Sequence, residues 1–228
     1  MISRASFVLV ATTVICGQTP LQNFVFTPPT SLTGNSGAPY SADEVHEHTK
    51  PDASGRLVAD PSYVLHIFRD SQGRKRTETP VSRSRLVVVE IEDPDAGFKY
   101  ILDPEARITH RFKVARSKTY PLGKSLEHPG AAGSQKSSLG TQIIEGLLAI
   151  GTRTVVDLEH GPSTIDTWTL PELSVIVLVK NTLPRMGVFT TRLEHIRRVE
   201  PDPALFQSPP DYKIVDETGT VSFAITRR

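Results

Sequence analysis

The alternation of apolar and polar positions is most regular in the middle of the chain. Between residues 107 and 114, Ile108 and Phe112 fall on one side, and charged or polar residues fall on the other. This period of two is typical of a strand with one buried face, because a helix would scatter the same apolar residues around its surface. Residues 85–93 and 98–103 show similar runs, separated by turns rich in Pro, Asp and Gly. The three segments are predicted to form an antiparallel meander.

Comparable patterns and turn signals recur through the rest of the chain. Further strands are predicted over residues 63–70, 74–79, 140–144, 147–158, 174–180, 188–199 and 212–215. The segment 74–79 is polar on both sides and is therefore predicted to be exposed or to lie at a sheet edge. One helical turn is predicted over residues 202–206, and no segment has the pattern of a long amphipathic helix. The predicted fold class is mainly β, an antiparallel sheet of successive hairpins with few short helices.

The first seventeen residues have the organisation of a secretory signal peptide. A short positive start ending at Arg4 is followed by an uncharged apolar stretch and then Gly17, the order found in such signals. The stretch is too short to span a membrane, and the alternative is a buried first strand. Acylation of Cys16 is disfavoured because Ile15 before it is not small. We expect a periplasmic or secreted protein that does not span the membrane after cleavage.

The mature chain expected from this cleavage carries no net charge and no cysteine. Removal of Arg4 leaves 25 basic residues against 25 acidic ones, so nothing draws the protein to nucleic acid. Residues 18–39 are rich in Pro, Thr, Ser and Gly and are predicted to be a flexible lead-in. A single β-rich domain is predicted over residues 40–215, with a mobile loop at residues 116–138 and a C-terminal tail at residues 216–228.

Catalytic signatures are not found in the sequence. It has no Gly-x-Ser-x-Gly nucleophile motif, no phosphate-binding loop and no dinucleotide fingerprint, so no catalytic residue and no cofactor are predicted. The most site-like cluster is His46-Glu47-His48. On a strand, the two imidazoles would point the same way and could share a metal with a third ligand. The alternative is a solvated strand face in a charged segment, which we favour because no partner motif accompanies the pair.

Several segments together resemble a group of uncharacterised exported bacterial proteins. The resemblance covers roughly residues 40–215, and it is carried by segments 69–74 (RDSQGR), 139–146 (LGTQIIEG), 151–154 (GTRT), 168–173 (WTLPEL), 200–206 (EPDPALF) and 210–212 (PDY). The layout is also similar to that of the periplasmic lipoprotein-carrier and lipoprotein-sorting superfamily. The shared features are an exported start, successive hairpins and a terminal closure by Phe206, Pro210 and Tyr212.

The second resemblance implies a shape and a class of activity. It implies a curved antiparallel sheet that forms an open half-barrel around an apolar cavity. We therefore expect a non-catalytic periplasmic or envelope protein that binds a lipid or another apolar ligand, or a protein partner. Two alternatives stay open: a metal-dependent hydrolase that uses His46 and His48, and a structural or assembly component of the envelope.

Overall fold

Strands dominate the computed structural model, which describes residues 21–29, 31–32, 37–82, 84–116, 134–159 and 161–226. The described residues form seventeen strands: β1 (Leu21–Phe26), β2 (Ser31–Leu32), β3 (Tyr40–Pro51), β4 (Leu57–Ala59), β5 (Tyr63–Arg69), β6 (Lys75–Pro80), β7 (Val87–Asp93), β8 (Phe98–Asp103), β9 (Ile108–Lys113), β10 (Ala115–Arg116), β11 (Gln135–Ile144), β12 (Leu147–Leu158), β13 (Gly161–Leu170), β14 (Val175–Leu183), β15 (Gly187–Arg197), β16 (Lys213–Glu217) and β17 (Val221–Thr226). A 3₁₀ turn over Pro203–Phe206 is the one helical element among them. The predicted mainly β, antiparallel fold class is confirmed.

The described residues belong to two compact units. The first draws on described residues within 21–32, 67–116 and 200–226, and the second on described residues within 37–66 and 134–199. Two compact units within one chain are not by themselves two independently folding domains. The single domain expected over residues 40–215 therefore stays a prediction.

The first unit is built around the predicted meander. Strands β7, β8 and β9 pair antiparallel in sequence order, and β16 adds to β9 in parallel. Alternate residues point to opposite sides of the sheet, and both sides are packed. Val88, Ile101 and Phe112 belong to the larger core cluster, whereas Ile91 and Phe206 belong to a smaller cluster. The meander predicted from the period of two is confirmed.

Two segments expected to lie outside the fold are strands of the first unit. Strand β1 pairs antiparallel with β17 over their full lengths. Phe24 and Ile225 are fully buried in the larger core cluster, and the Phe24 ring stacks on Phe223 at a centroid distance of 5.7 Å. The predictions of a flexible lead-in and of a C-terminal tail are therefore wrong for residues 21–26 and 221–226, because burial of these aromatic and aliphatic side chains holds both segments.

Strand β6 does not lie at an edge, contrary to the expectation from its polar composition. It lies between β5 and β7 in the sheet order. The Arg76 guanidinium donates from Nε to Glu78 Oε1 at 2.7 Å and from Nη1 to the Leu205 carbonyl at 2.8 Å. Polar side chains are accommodated in this interior strand because they bond to one another and to the 3₁₀ turn.

The second unit is an antiparallel sheet with the strand order β11, β12, β13, β14, β15, β3, and β4 pairs with the end of β3. The hairpin predicted to bend at Gly146 is confirmed, with Ile144 opposite Leu147. Strand β13 was not predicted. Residues 135–138, expected in the mobile loop, begin β11, so the loop prediction is wrong there.

Several predictions cannot be compared with the structure. Residues 117–133 of the expected loop and the whole predicted signal peptide, with Cys16, lie outside the described residues. Within the described ranges, no helix has the length and apolar character needed to cross a membrane.

Candidate binding face

The cross-strand register of the second unit assembles one surface without Asp, Glu, Lys or Arg. Directly opposed residues of antiparallel strands lie on the same side of a sheet. Three rows cross β12 to β15: Ile150, Thr169 and Ile176; Thr152, Thr167, Val179 and Thr191; and Thr154, Ile165, Asn181 and Phe189. Ile143 and Leu148 extend the surface onto the β11–β12 hairpin. We call these thirteen residues the uncharged face; His46 and His48 border it on β3.

The uncharged face is left open to solvent. None of its residues is buried, and the exposed fractions of Ile143, Leu148 and Ile150 are 66%, 56% and 47%. Amphipathic sheets normally turn their apolar side toward a core and their charged side toward water. Seven of the thirteen residues are apolar, and the others are threonines and one asparagine. Exposed apolar surface framed by polar groups is a mark of an interaction site.

The opposite side of the same strands carries the charge. Arg153, Asp166 and Lys180 face one another across β12, β13 and β14. The Arg153 guanidinium donates two hydrogen bonds of 2.6 Å to the Asp166 carboxylate. Arg192 likewise donates to both oxygens of Glu47, at 2.6 and 3.1 Å. Arg153 and Arg192 on this side therefore each have a carboxylate partner, whereas the uncharged face carries no charged group.

The ion pairs on the charged side also shift the pKa values of their carboxylates. The hydrogen bond from Arg153 lowers the pKa of Asp166, and the hydrogen bond from Arg192 lowers the pKa of Glu47. Both carboxylates are held in the ionised form by a guanidinium that can chelate two oxygens. Neither group resembles a general acid or base held near neutrality for catalysis.

His46 and His48, the predicted candidate metal ligands, are both engaged in hydrogen bonds. His46 Nε2 bonds to Glu44 Oε1 at 2.7 Å, and its Nδ1 lies 3.2 Å from the Thr191 hydroxyl. His48 Nδ1 bonds to Asp60 Oδ2 at 2.7 Å, and its Nε2 donates to the Met186 carbonyl at 2.8 Å. A metal ligand needs a ring nitrogen with a free lone pair.

The two imidazoles also stack on neighbouring rings. His46 lies against Tyr63 at 4.4 Å and His48 against Phe189 at 3.9 Å between ring centroids. The described residues contain no group of three His, Cys, Asp or Glu placed to hold a metal ion. The geometry makes the two histidines a hydrogen-bonded border of the uncharged face, and metal binding by them stays a prediction.

A second imidazole–carboxylate cluster lies on the other side of β3. Asp43 bonds to Nδ1 of His66 at 2.7 Å and to Nδ1 of His195 at 2.9 Å. Burial raises the pKa of Asp43, but the hydrogen bonds from His195 and His66 outweigh that effect and lower it. The hydrogen bond to Asp43 raises the pKa of His195. The cluster ties β5, β3 and β15 together.

Sequence reasoning did not find the uncharged face, because it depends on the strand that was not predicted. In β13, Ile165, Thr167 and Thr169 alternate with Asp166 and Trp168, which is the period of a strand. The alternation separates uncharged from charged residues more clearly than apolar from polar ones. Assembly of the face also requires the register of four strands, which a single segment does not reveal.

Comparison with known proteins gives matches only among solved structures. No protein-family model and no curated protein matches the chain. A chain of the Pseudomonas aeruginosa MucA/MucB complex matches with a TM-score of 0.50 and 12% identity, covering 79% of this chain and 59% of that one. An uncharacterized conserved protein from Thermus thermophilus matches with a TM-score of 0.47 and 10% identity, covering 79% of this chain and 91% of that one.

The resemblance to lipoprotein carriers is also represented among the matches. A LolA superfamily protein from Nitrosomonas europaea matches with a TM-score of 0.35 and 6% identity, covering 78% of this chain and 92% of that one. The LolA superfamily is thus among the structural matches of the chain, at a TM-score below 0.5. At such identities a likeness concerns the fold and shows no shared function.

Proposed function

We propose that this chain is an exported, non-catalytic binding protein of the periplasm or envelope, and that its uncharged face receives an apolar ligand. The observation that carries the proposal is the exposure of a sheet side without charged residues, while Arg153 and Arg192 on the other side are ion-paired. Displacing water from apolar surface favours binding by about 25 cal/mol per Å². The threonine hydroxyls and the Asn181 amide on the face supply the few polar groups that orient a ligand.

The likeness of fold is compatible with this role. Matched solved structures include a LolA superfamily protein and a putative outer membrane lipoprotein-sorting protein domain from Vibrio parahaemolyticus. Among the described residues, the ion-paired carboxylates offer no pair of groups with the divided roles of an acid and a base. Binding without chemistry accounts for the surface more simply than hydrolysis does.

Titration with an uncharged, apolar fluorescent probe, N-phenyl-1-naphthylamine, tests the proposed face. The Ile150→Asp variant puts a carboxylate on the face and should weaken probe binding by about tenfold or more, which corresponds to roughly 1.4 kcal/mol. Ile214→Asp is a matched control, because Ile214 is 46% exposed and Ile150 is 47% exposed, each on a strand. Equal losses in the two variants, or no binding by the wild-type protein, would contradict the proposal.

A protein partner is a second candidate for the same face, and the sheet edge favours it. Strand β11 has ten residues and pairs only with β12 among the described residues, so its outer backbone groups are available to an added strand. Ile143 places apolar surface at that edge. A photo-crosslinking residue at position 143 should then capture an extended protein segment in cells, whereas one at position 214 should not. Capture at both positions would count against this candidate.

Export itself can be measured on the mature protein. When the full chain is expressed in a bacterium, the mass of the purified protein should correspond to cleavage after Gly17. A chain that retains Met1–Gly17, or that carries an acyl group on Cys16, would contradict the proposed processing.

A further inference from the structure

A pocket of about 750 Å³ lies in the first unit, away from any residue assigned a role above. It is formed by the connection between β6 and β7, by the turn between β8 and β9, and by the end of β17. Its volume falls within the range of about 300–1,000 Å³ that is usual for small-molecule sites. Such a pocket is large enough for a small organic molecule.

The walls of the pocket are held by hydrogen bonds and packing. The backbone N–H of Thr226 donates to Glu105 Oε2 at 2.9 Å, which joins the β8–β9 turn to β17. The backbone N–H of Leu86 donates to Ser84 Oγ at 3.1 Å, and its carbonyl accepts from the N–H of Val81 at 3.0 Å. The Leu86 side chain packs on the larger core cluster. These contacts hold the segments that border the pocket.

The groups that line the pocket favour a negative charge. Two arginines, Arg85 and Arg107, and one glutamate, Glu105, line the pocket, and Glu105 already accepts the Thr226 hydrogen bond. The Arg107 guanidinium also forms an exposed ion pair with the Asp211 carboxylate, at 3.4 Å. Within the described part of the chain, Arg85 has neither a hydrogen bond nor an ion pair. The N–H groups of the Arg85 guanidinium and the Ser84 hydroxyl can therefore donate hydrogen bonds to a ligand.

Leu86 and Pro104 add apolar surface between these polar groups. A guanidinium binds the two oxygens of a carboxylate or phosphate through parallel hydrogen bonds. We infer that this pocket binds a small organic anion, with its carboxylate or phosphate on Arg85 and its short apolar body against Leu86. The inference does not depend on the proposed function of the uncharged face.

Calorimetric titration of the wild-type protein with hexanoate, hexyl phosphate and hexylamine tests the inferred site. Hexanoate or hexyl phosphate should bind, and the tighter of the two identifies the headgroup; hexylamine, with the opposite charge, should not. Loss of a charge-assisted hydrogen bond in Arg85→Gln should weaken binding of the anion by about tenfold or more. Arg85→Lys keeps the charge but loses the paired donors, so its affinity for the anion should lie between those of the wild-type protein and Arg85→Gln.

Two control variants distinguish binding in this pocket from binding elsewhere on the protein. Arg56→Gln removes an exposed arginine of the second unit and should bind the anion like the wild-type protein. Ile150→Asp should also bind it unchanged, because the uncharged face is not involved. The inference is overturned if neither anion binds, if hexylamine binds as well as they do, or if Arg85→Gln binds like the wild-type protein. A loss in Ile150→Asp without a loss in Arg85→Gln would also overturn it.

Discussion

Replacement of Phe24 by alanine measures whether β1 belongs to the folded core. Phe24 is fully buried, and its ring packs near Phe26 and Phe223 at centroid distances of 6.4 and 5.7 Å. Truncation of a buried phenylalanine typically costs about 3–5 kcal/mol, from lost burial and from the cavity that is left. This is a large part of the roughly 5–15 kcal/mol that stabilises a typical domain. For a chain of this size the melting temperature should fall by about 6–20 °C.

The assay is urea unfolding followed by far-ultraviolet circular dichroism. Leu21→Ala is the control on the same strand, because Leu21 is 41% exposed and its truncation should cost less than about 1 kcal/mol. If residues 21–26 were a flexible lead-in, Phe24→Ala would unfold within about 0.5 kcal/mol of the wild-type protein. That result, or equal losses in the two variants, would refute the assignment of β1 to the core.

Two further predictions concern the second unit. In Gly151→Ala the new Cβ would lie 2.7 Å from the Trp168 ring, so the free energy of unfolding should fall by about 1–3 kcal/mol. In the control Gly219→Ala no atom lies within 4 Å of the new Cβ, so the free energy of unfolding should change little. Equal urea midpoints for the two variants would contradict this prediction. The hydrogen bond to Asp43 raises the pKa of His195, so stability from the pair is present below about pH 6.5 and is lost as pH rises through the raised pKa. The urea midpoint should therefore fall less in Asp43→Asn than in the wild-type protein from pH 6 to pH 8.5, and parallel falls would refute the coupling.

Local patterns were sufficient to predict several hairpins. The meander β7–β9 and the β11–β12 hairpin join neighbouring segments through short turns, so alternation and turn residues define them without knowledge of the rest of the chain. The 3₁₀ turn could be predicted in the same way, because Asp202 accepts the backbone N–H of Ala204 and Pro203 begins the turn.

Pairings between distant segments could not be predicted in this way. Strands β1 and β17 lie at opposite ends of the chain, and each becomes a strand only against the other. The polar strand β6 is interior because Arg76 finds the Leu205 carbonyl, a partner 129 residues away. The composition of a segment does not show which partner will cover it.

The candidate site could be predicted only in part, because its contacts also join distant segments. His46 and His48 were identified correctly as neighbours on one side of a strand, and they border the uncharged face. Their hydrogen-bond partners, among them Thr191 and the Met186 carbonyl, come from β15 and the turn before it. The chemistry of an imidazole depends on those partners, so the sequence of β3 alone could not show that both rings are hydrogen-bonded.

Spectra of protein with ¹³C-labelled isoleucine methyl groups test the central claim most directly. During titration with N-phenyl-1-naphthylamine, the methyl signals of Ile143, Ile150 and Ile165 on the uncharged face should shift together with one dissociation constant. The signals of Ile91 and Ile225, both fully buried in the first unit, should stay in place. Shifts confined to Ile91 and Ile225, or no shift on the face at saturating probe, would contradict the assignment of the uncharged face as the binding site.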